Sequence, residues 1–67
     1  MNAKRIREIR ARLGLTQREL GELLNVSPRT VQDWEQGRHA PRSSAILLLE
    51  LADRGLLTRA PRQGDRA

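Results

Sequence analysis

Two short segments with start and stop signals for helices lie close together in the middle of the chain, and their spacing constrains the fold most. Thr16 precedes a glutamate by three residues, the spacing of a capping box, and Asn25 suits the left-handed conformation that ends a helix. Ser27 followed by Pro28 begins a second helix, and Gly37 ends it. Helices of eight or nine residues are not stable singly in water. We therefore expect these two helices to pack against each other.

The apolar residues of the two segments fit one arrangement. Five of them occupy positions that are buried when two helices cross at a steep angle: Leu20, Leu24, Val26, Val31 and Trp34. Gly21 lies in the middle of the first segment, where glycine costs about 1 kcal/mol relative to alanine. That cost is explained if the second helix crosses there and a larger side chain would clash. The sequence therefore predicts a helix-turn-helix.

Two further helices are predicted on either side of this pair. The first spans residues 2–13, where Ile6, Ile9 and Leu13 form an apolar stripe that also carries Arg10. The fourth spans residues 42–54 and ends at a glycine. Four of its residues are expected to close the core: Ala45, Leu48, Leu49 and Ala52. We predict an all-α domain over residues 1–57 and a disordered basic tail over 58–67, which carries no large apolar side chain.

Charge and composition narrow the classes of function. The chain carries 13 Lys and Arg against 8 Asp and Glu, and 12 of the 13 bases are arginine. Arginine presents a fork of donors that matches phosphate and the guanine edge, which favours nucleic acid as a partner, although a GC-rich genome gives the same bias. A single aromatic residue disfavours single-strand stacking and RNA-binding sheets.

The same composition argues against catalysis and membranes. There is no cysteine, one histidine and no glycine loop that could hold a phosphate, so we expect no enzyme, no cofactor and no metal site. His39 is expected to be a loop residue near DNA. No apolar run approaches the length of about 18 residues that a membrane span needs, and the N-terminus has no signal-peptide core. A cytoplasmic protein is predicted.

A resemblance to a known family sharpens these expectations. The residues from Leu15 to Pro41 follow the pattern TQ.EL…L.VS..TV..WE.G…P and resemble the Cro/CI-type repressors, or XRE family, over about residues 3–57. Gly21 stands where that family usually has alanine, and Asn25 where it usually has glycine. The resemblance implies a compact four- to five-helix lambda-repressor-like DNA-binding domain with its helix-turn-helix at helices 2 and 3. It also implies that the third helix enters the major groove.

The outward side of the third helix supplies the candidate base readers. With Val31 and Trp34 pointing inward, the helical repeat turns the polar residues outward. The predicted base-reading residues are Pro28, Arg29, Gln32 and Asp33. Arg29 is expected to fork onto a guanine. Asp33 either accepts from the cytosine amino group, holds Arg29 in place, or forms a solvated ion pair with it.

Phosphate contacts are expected around the rim of the same surface. Gln17 opens the second helix, where backbone N–H groups favour an anion, and the resemblance gives it a phosphate-binding role. The other candidates are Thr16, Ser27, Thr30, Gln36, Arg38, Arg42 and Arg10. For Thr16 and Ser27 helix capping is the expected main role. The resemblance also implies a structural salt bridge between Arg10 and Glu35 that orients Arg10 toward a phosphate.

The fourth helix carries more apolar residues than a single buried face can hold. We predict a two-fold dimer through Ile46, Leu47, Glu50, Leu51, Leu56 and Leu57. The alternative is that the extra leucines cover a loop of the same chain. A dimer would hold two recognition helices about 34 Å apart, so that they read a palindrome. The chain lacks a full fifth helix after Leu57, so the dimer contact common in the family cannot be assumed.

Taken together, the resemblance implies a transcriptional regulator that binds double-stranded DNA. The simplest mechanism is a dimeric autorepressor that occludes the promoter of a small phage, anti-CRISPR or toxin–antitoxin operon. Activation through contact with polymerase stays open. The alternative function is an antitoxin-type module that neutralises a partner toxin through the fourth helix or the tail.

Overall fold

Four helices follow one another in residues 1–58, the part of the chain that the computed structural model describes. They are α1 (Ala3–Leu13), α2 (Gln17–Leu24), α3 (Pro28–Glu35) and α4 (Ser43–Asp53). The described residues contain no strand, so the predicted all-α fold is confirmed. The outer helices are each a little shorter than predicted, because Asn2, Arg42 and Arg54 are caps rather than helical residues. Apart from Thr58, the tail predicted for 58–67 lies outside the described residues, and the domain boundary stays a prediction.

Side-chain caps fix the ends of the two central helices. The Thr16 hydroxyl accepts from the Glu19 backbone N–H at 3.0 Å, and the Glu19 carboxylate accepts from the Thr16 N–H at 2.9 Å. This is the predicted capping box. Ser27 caps α3 in the same way, with its hydroxyl accepting from the Thr30 N–H at 3.1 Å. Asn25 adopts the left-handed conformation, with φ of 60°, so the chain turns sharply between α2 and α3.

A small core lies where the four helices meet. Each helix contributes two of its buried apolar residues: Ile6, Ile9, Leu20, Leu24, Val31, Trp34, Leu49 and Ala52. All eight were expected inside from the spacing of apolar residues. Ala45 and Leu48 of α4, also expected to close the core, are half-buried at its edge. Within α4, Leu47 is the one large apolar side chain that is exposed.

Gly21 permits the close approach of the turn to α2. A Cβ atom at this position would lie 2.6 Å from the Val26 carbonyl oxygen, closer than van der Waals contact allows. Val26 is also hydrogen-bonded to α2, because its N–H donates to the Gly21 oxygen at 2.8 Å. A larger side chain at Gly21 would therefore clash chiefly with the turn that leads into α3, whereas the sequence predicted a clash with the crossing helix.

An ion-pair cluster joins the first and the fourth helix. Asp53, at the end of α4, accepts from the Arg5 guanidinium at 2.7 Å and from the Arg12 guanidinium at 2.6 Å. Both arginines belong to α1, where they lie about two turns apart. The cluster therefore fastens α4 to α1 and neutralises a carboxylate that the C-terminal end of a helix disfavours. Among residues 1–58, no helix has the length and apolar character to cross a membrane.

Candidate DNA-binding surface

A buried carboxylate behind α3 fixes the position of the candidate surface. The Glu35 side chain is only 4% exposed and lies at the end of α3. Arg10 of α1 binds both of its oxygens, with Nε at 2.5 Å and a terminal nitrogen at 3.0 Å. Gln17 of α2 donates its amide to the same carboxylate at 3.2 Å. One side chain therefore connects three helices, and the salt bridge that the resemblance implied between Arg10 and Glu35 is present.

Two backbone carbonyls extend this connection. Arg10 donates to the Leu15 oxygen at 3.0 Å, across the turn between α1 and α2. Arg7 donates to the Glu35 backbone oxygen at 2.6 Å and so satisfies a carbonyl at the end of α3. Arg10 thus directs three donor groups into the molecule, while its side chain is 26% exposed. Its predicted contact with a phosphate stays a prediction.

The electrostatics of this site favour the charged forms of both partners. Burial raises the pKa of Glu35, but hydrogen bonds from Arg10 and Gln17 and the charges of Arg10 and Arg7 outweigh it, so the pKa lies below its usual value. The hydrogen bond to Glu35 raises the pKa of Arg10 against the opposing effect of burial. The pair therefore remains ionised at neutral pH.

In front of this buried pair, α3 presents a polar side. Arg29 has a side chain that is 69% exposed, on the first turn of α3, and Pro28 beside it is also exposed. Gln32 is half-buried. Asp33 is shielded by arginine, because Arg29 Nε lies 3.1 Å from its carboxylate. The predicted base readers thus share the N-terminal two turns of α3, as the helical repeat required.

The predicted phosphate ligands divide into those already bound within the chain and those that extend from it. Thr16 and Ser27 are exposed but serve as caps, and Thr30 shares a hydrogen bond with the Ser27 hydroxyl at 2.9 Å. Gln17, in the first turn of α2, is held by Glu35. The remaining side chains are exposed and lie after α3: Gln36, Arg38 and Arg42.

An open groove of about 500 Å³ runs between α3 and the start of α4. Its polar lining includes Thr30, Asp33, His39, Arg42 and Ser44. The groove therefore brings two predicted ligands, Thr30 and Arg42, close to His39, which was expected near DNA. Arg42 precedes α4 without capping it through its side chain, so the first backbone N–H groups of α4 have no side-chain acceptor from the cap residue.

Sequence reasoning missed three contributions to this surface. Arg7 was not singled out in the sequence, because its donation to the end of α3 depends on how α1 crosses that helix. Arg38 lies 3.5 Å from the Asp33 carboxylate, so Asp33 has two arginine partners rather than one. The spacing of five residues between them was visible in the sequence, but only the turn after α3 brings them together. Ser44, which also lines the groove, was not singled out in the sequence.

The candidate dimer residues are placed unevenly. Leu47 and Leu56 are 56% and 71% exposed, and Glu50 is also exposed. Ile46 and Leu51 are half-buried. Leu57 packs against the core of its own chain, which is the alternative interpretation for that one residue. Three of the six predicted residues are therefore exposed, so the exposed apolar surface is smaller than predicted.

The described residues do not meet the requirements of a metal site. Within 1–58, no group of three or more histidine, cysteine, aspartate or glutamate side chains could hold a metal ion. The arrangement is that of two short helices joined by a tight turn, with the second helix supported from behind and polar in front. This defines the helix-turn-helix class of DNA-binding domains.

Comparison with known proteins gives the family. A family model described as helix-turn-helix matches residues 6–55, and the chain belongs to this XRE-type helix-turn-helix family of DNA-binding transcription regulators. The chain is similar to the antitoxin HigA-2 of Vibrio cholerae serotype O1, with 39% identity over 46 residues, which cover 69% of this chain and 44% of that protein.

A second relative extends the likeness to archaea. A protein of Archaeoglobus fulgidus whose provisional name is HTH-type transcriptional regulatory protein is 39% identical over 51 residues, which cover 76% of this chain and 16% of that protein. The chain thus spans less than half the length of either of these curated relatives.

The buried pair generates a prediction about pH. Because the folded-state pKa of Glu35 lies below its unfolded value of about 4.3, its stabilisation is present above that pH and is lost as the pH falls through the folded pKa. We expect Glu35→Gln to lower the free energy of unfolding by about 2 kcal/mol at pH 7, and the gap to the unchanged protein to shrink below about pH 4. Urea unfolding followed by the fluorescence of Trp34, the one tryptophan, measures both.

Glu8→Gln is the matched control, because Glu8 is an exposed carboxylate on α1. It should leave the unfolding free energy nearly unchanged at both pH values. A gap for Glu35→Gln that stays constant between pH 7 and pH 3, or is absent at pH 7, would contradict the structural account of this carboxylate.

Proposed function

We propose that this protein regulates transcription by binding a specific double-stranded DNA sequence with α3 in the major groove. The observation that carries the proposal is Arg29, exposed at the N-terminal end of a helix whose opposite side is clamped through Glu35. A base-reading helix needs this combination, because a side chain discriminates between bases only if its backbone is fixed in the groove. Membership of the helix-turn-helix family supports the same function.

The N-terminal turns of α3 carry the proposed sequence readout. Arg29 forks onto the O6 and N7 acceptors of a guanine, for a discrimination of about 1–3 kcal/mol against another base. Gln32 and Pro28 contact neighbouring base edges, and Asp33, the fourth residue predicted on this side, lies against Arg29. This assignment rests on the exposure of Arg29 and Pro28 and on the position of all four residues on one side of α3.

The proposed phosphate contacts surround this helix. Arg38 and Arg42 neutralise phosphates from the segment between α3 and α4, where both are exposed. Gln17 and Thr16 bind at the N-terminal end of α2, where backbone N–H groups and the helix dipole favour an anion. The remaining members of the set are Ser27, Thr30, Gln36 and Arg10. Such contacts fix the register of the protein on the duplex without reading its sequence.

We further propose a two-fold dimer built on α4. Leu47 and Leu56 leave large apolar side chains in solvent, and Ile46, Glu50 and Leu51 border them. A two-fold axis through this surface would pair the same residues on both copies and would present two α3 helices to a palindromic operator. Leu57 contributes less, since it already packs within its own chain.

The proposed mode of regulation is repression by occupying a promoter, most simply that of its own small operon of phage, anti-CRISPR or toxin–antitoxin type. Binding alone is sufficient for this mechanism, and no catalytic step is needed. The predictions that the protein is not an enzyme and acts in the cytoplasm follow from this function and stay predictions.

One observation favours a second function, neutralisation of a protein partner. A relative that shares 39% identity over 46 residues bears the name antitoxin HigA-2. In this chain the exposed apolar side chains of α4 could bind such a partner in place of a second copy. A toxin-like gene next to the gene of this protein would support this alternative.

The role of Arg29 is tested by selecting a duplex from a random library with the unchanged protein and measuring binding of Arg29→Ala to it. We expect the variant to lose about 1–3 kcal/mol of preference at one guanine and to bind a scrambled duplex almost normally. Arg54→Ala is the control, because it removes the same charge from an exposed residue beyond the end of α4. If Arg29→Ala weakens binding equally on all sequences, Arg29 contacts a phosphate and reads no base.

The dimer is tested by the double substitution of Leu47→Glu and Leu56→Glu. We expect sedimentation to change from dimer to monomer and affinity for a selected palindrome to fall by about 100-fold, because the second half-site is no longer bound within one complex. Ala11→Glu, on the exposed side of α1, should change neither. An unchanged protein that sediments as a monomer at high concentration and on the selected duplex would contradict the proposal.

A further inference from the structure

One carboxylate lies between two arginines at the centre of the candidate DNA-binding surface. The same oxygen of Asp33 is 3.1 Å from Arg29 Nε and 3.5 Å from a terminal nitrogen of Arg38. Its side chain is 16% exposed, whereas those of Arg29 and Arg38 are 69% and 55% exposed. The two arginines thus cover the carboxylate while their own side chains remain open to a ligand.

The backbone of Asp33 reinforces this link. Its carbonyl oxygen accepts the Arg38 N–H at 2.9 Å and the His39 N–H at 3.4 Å. Both the side chain and the main chain of Asp33 therefore hold the segment that follows α3. As a result, Arg29 from the first turn of the helix and Arg38 from beyond its end both lie against the same carboxylate.

From this geometry we infer that Asp33 is a positioning residue that sets specificity by restraining Arg29 and Arg38, rather than a base reader in its own right. The inference rests on the proposed function. It assigns Asp33 two effects: it orders both guanidinium groups before DNA arrives, and it subtracts one charge from the surface that meets the phosphates.

Both effects follow from elementary electrostatics. Arg29 and Arg38 have long side chains, and without a common anion they would repel each other and spread to the nearest phosphates, whatever the sequence. A carboxylate facing DNA also lowers affinity for every duplex equally. The other carboxylate of α3, Glu35, cannot act in this way, because it is 4% exposed and bound by Arg10 on the opposite side of the helix.

A surface ion pair contributes too little free energy to folding for a stability measurement to test this role. An exposed pair one turn apart on a helix contributes about 0.3–0.5 kcal/mol to folding, roughly a twofold effect on the equilibrium. Removing Asp33 should therefore change unfolding little, while it changes the DNA surface by a full charge. A purely structural role would leave the ratio of specific to scrambled binding unmoved.

The test uses Asp33→Asn, which keeps the shape of the side chain, on the duplex selected by the unchanged protein and on a scrambled duplex of the same composition. Binding is measured over a series of potassium chloride concentrations. We expect scrambled binding to tighten by about 5-fold, the specific-to-scrambled ratio to fall by about 10-fold, and the salt slope to steepen by about one counterion. Glu8→Gln, with the same charge change on an exposed part of α1, should alter none of these.

Arg38→Ala gives a second route that leaves α3 untouched. If Arg38 acts through Asp33, its removal lowers the specific-to-scrambled ratio when Asp33 is present and leaves the ratio unchanged in the Asp33→Asn background. Equal effects of Arg38→Ala in both backgrounds would overturn the inference.

Two further outcomes separate this inference from the proposed function. If Asp33→Asn loses preference at a single cytosine while scrambled affinity and salt slope stay unchanged, Asp33 reads that base and the inference is wrong, although the protein still recognises sequence. If the unchanged protein selects no duplex over the scrambled one, the proposed function itself fails, and the positioning role of Asp33 fails with it.

Discussion

The carboxylate of Glu35 is the interaction on which the rest of the structure depends. It is buried behind α3 and receives hydrogen bonds from Arg10 of α1 and Gln17 of α2, so three helices are joined at one side chain. The hydrophobic core alone is small, as expected for a domain of this size. Buried Val31 and Trp34 turn one side of α3 inward, and the directional, bidentate contact to Glu35 adds to this restraint. Leaving the carboxylate buried without Arg10 would cost far more than the pair contributes, which disfavours alternative orientations of α3.

The carboxylates of Asp53 and Asp33 are also bound by arginines. Asp53 is covered by Arg5 and Arg12, so two of the acidic residues are bound by arginines of α1 and connect helices. On the candidate DNA-binding surface the relation is reversed, because there a single carboxylate, Asp33, lies beneath two arginines that remain exposed. Glu35 and Asp53 thus connect helices, whereas the arginines around Asp33 keep exposed positive charge that attracts a polyanion.

Helix caps and turns could be predicted from the sequence, whereas contacts between residues far apart in the chain could not. The caps at Thr16 and Ser27 and the turn at Asn25 depend only on residues within a few positions, so the bounds of α2 came out as expected. The Arg10–Glu35 bridge required the resemblance to a family, because it joins residues far apart in sequence. Donation by Arg7 and the second arginine on Asp33 depend on how α1 and the turn after α3 approach. For the same reason Leu57 was grouped with Leu56, although only Leu57 turns inward.

Methylation interference on the selected duplex tests most directly whether the polar side of α3 lies in the major groove. Dimethyl sulfate modifies N7 of guanine in the major groove and N3 of adenine in the minor groove. If the account is right, modified guanines within the site prevent binding and modified adenines do not, because base contacts are confined to the major-groove edge. Interference confined to adenine N3, or absent at every base, would contradict it.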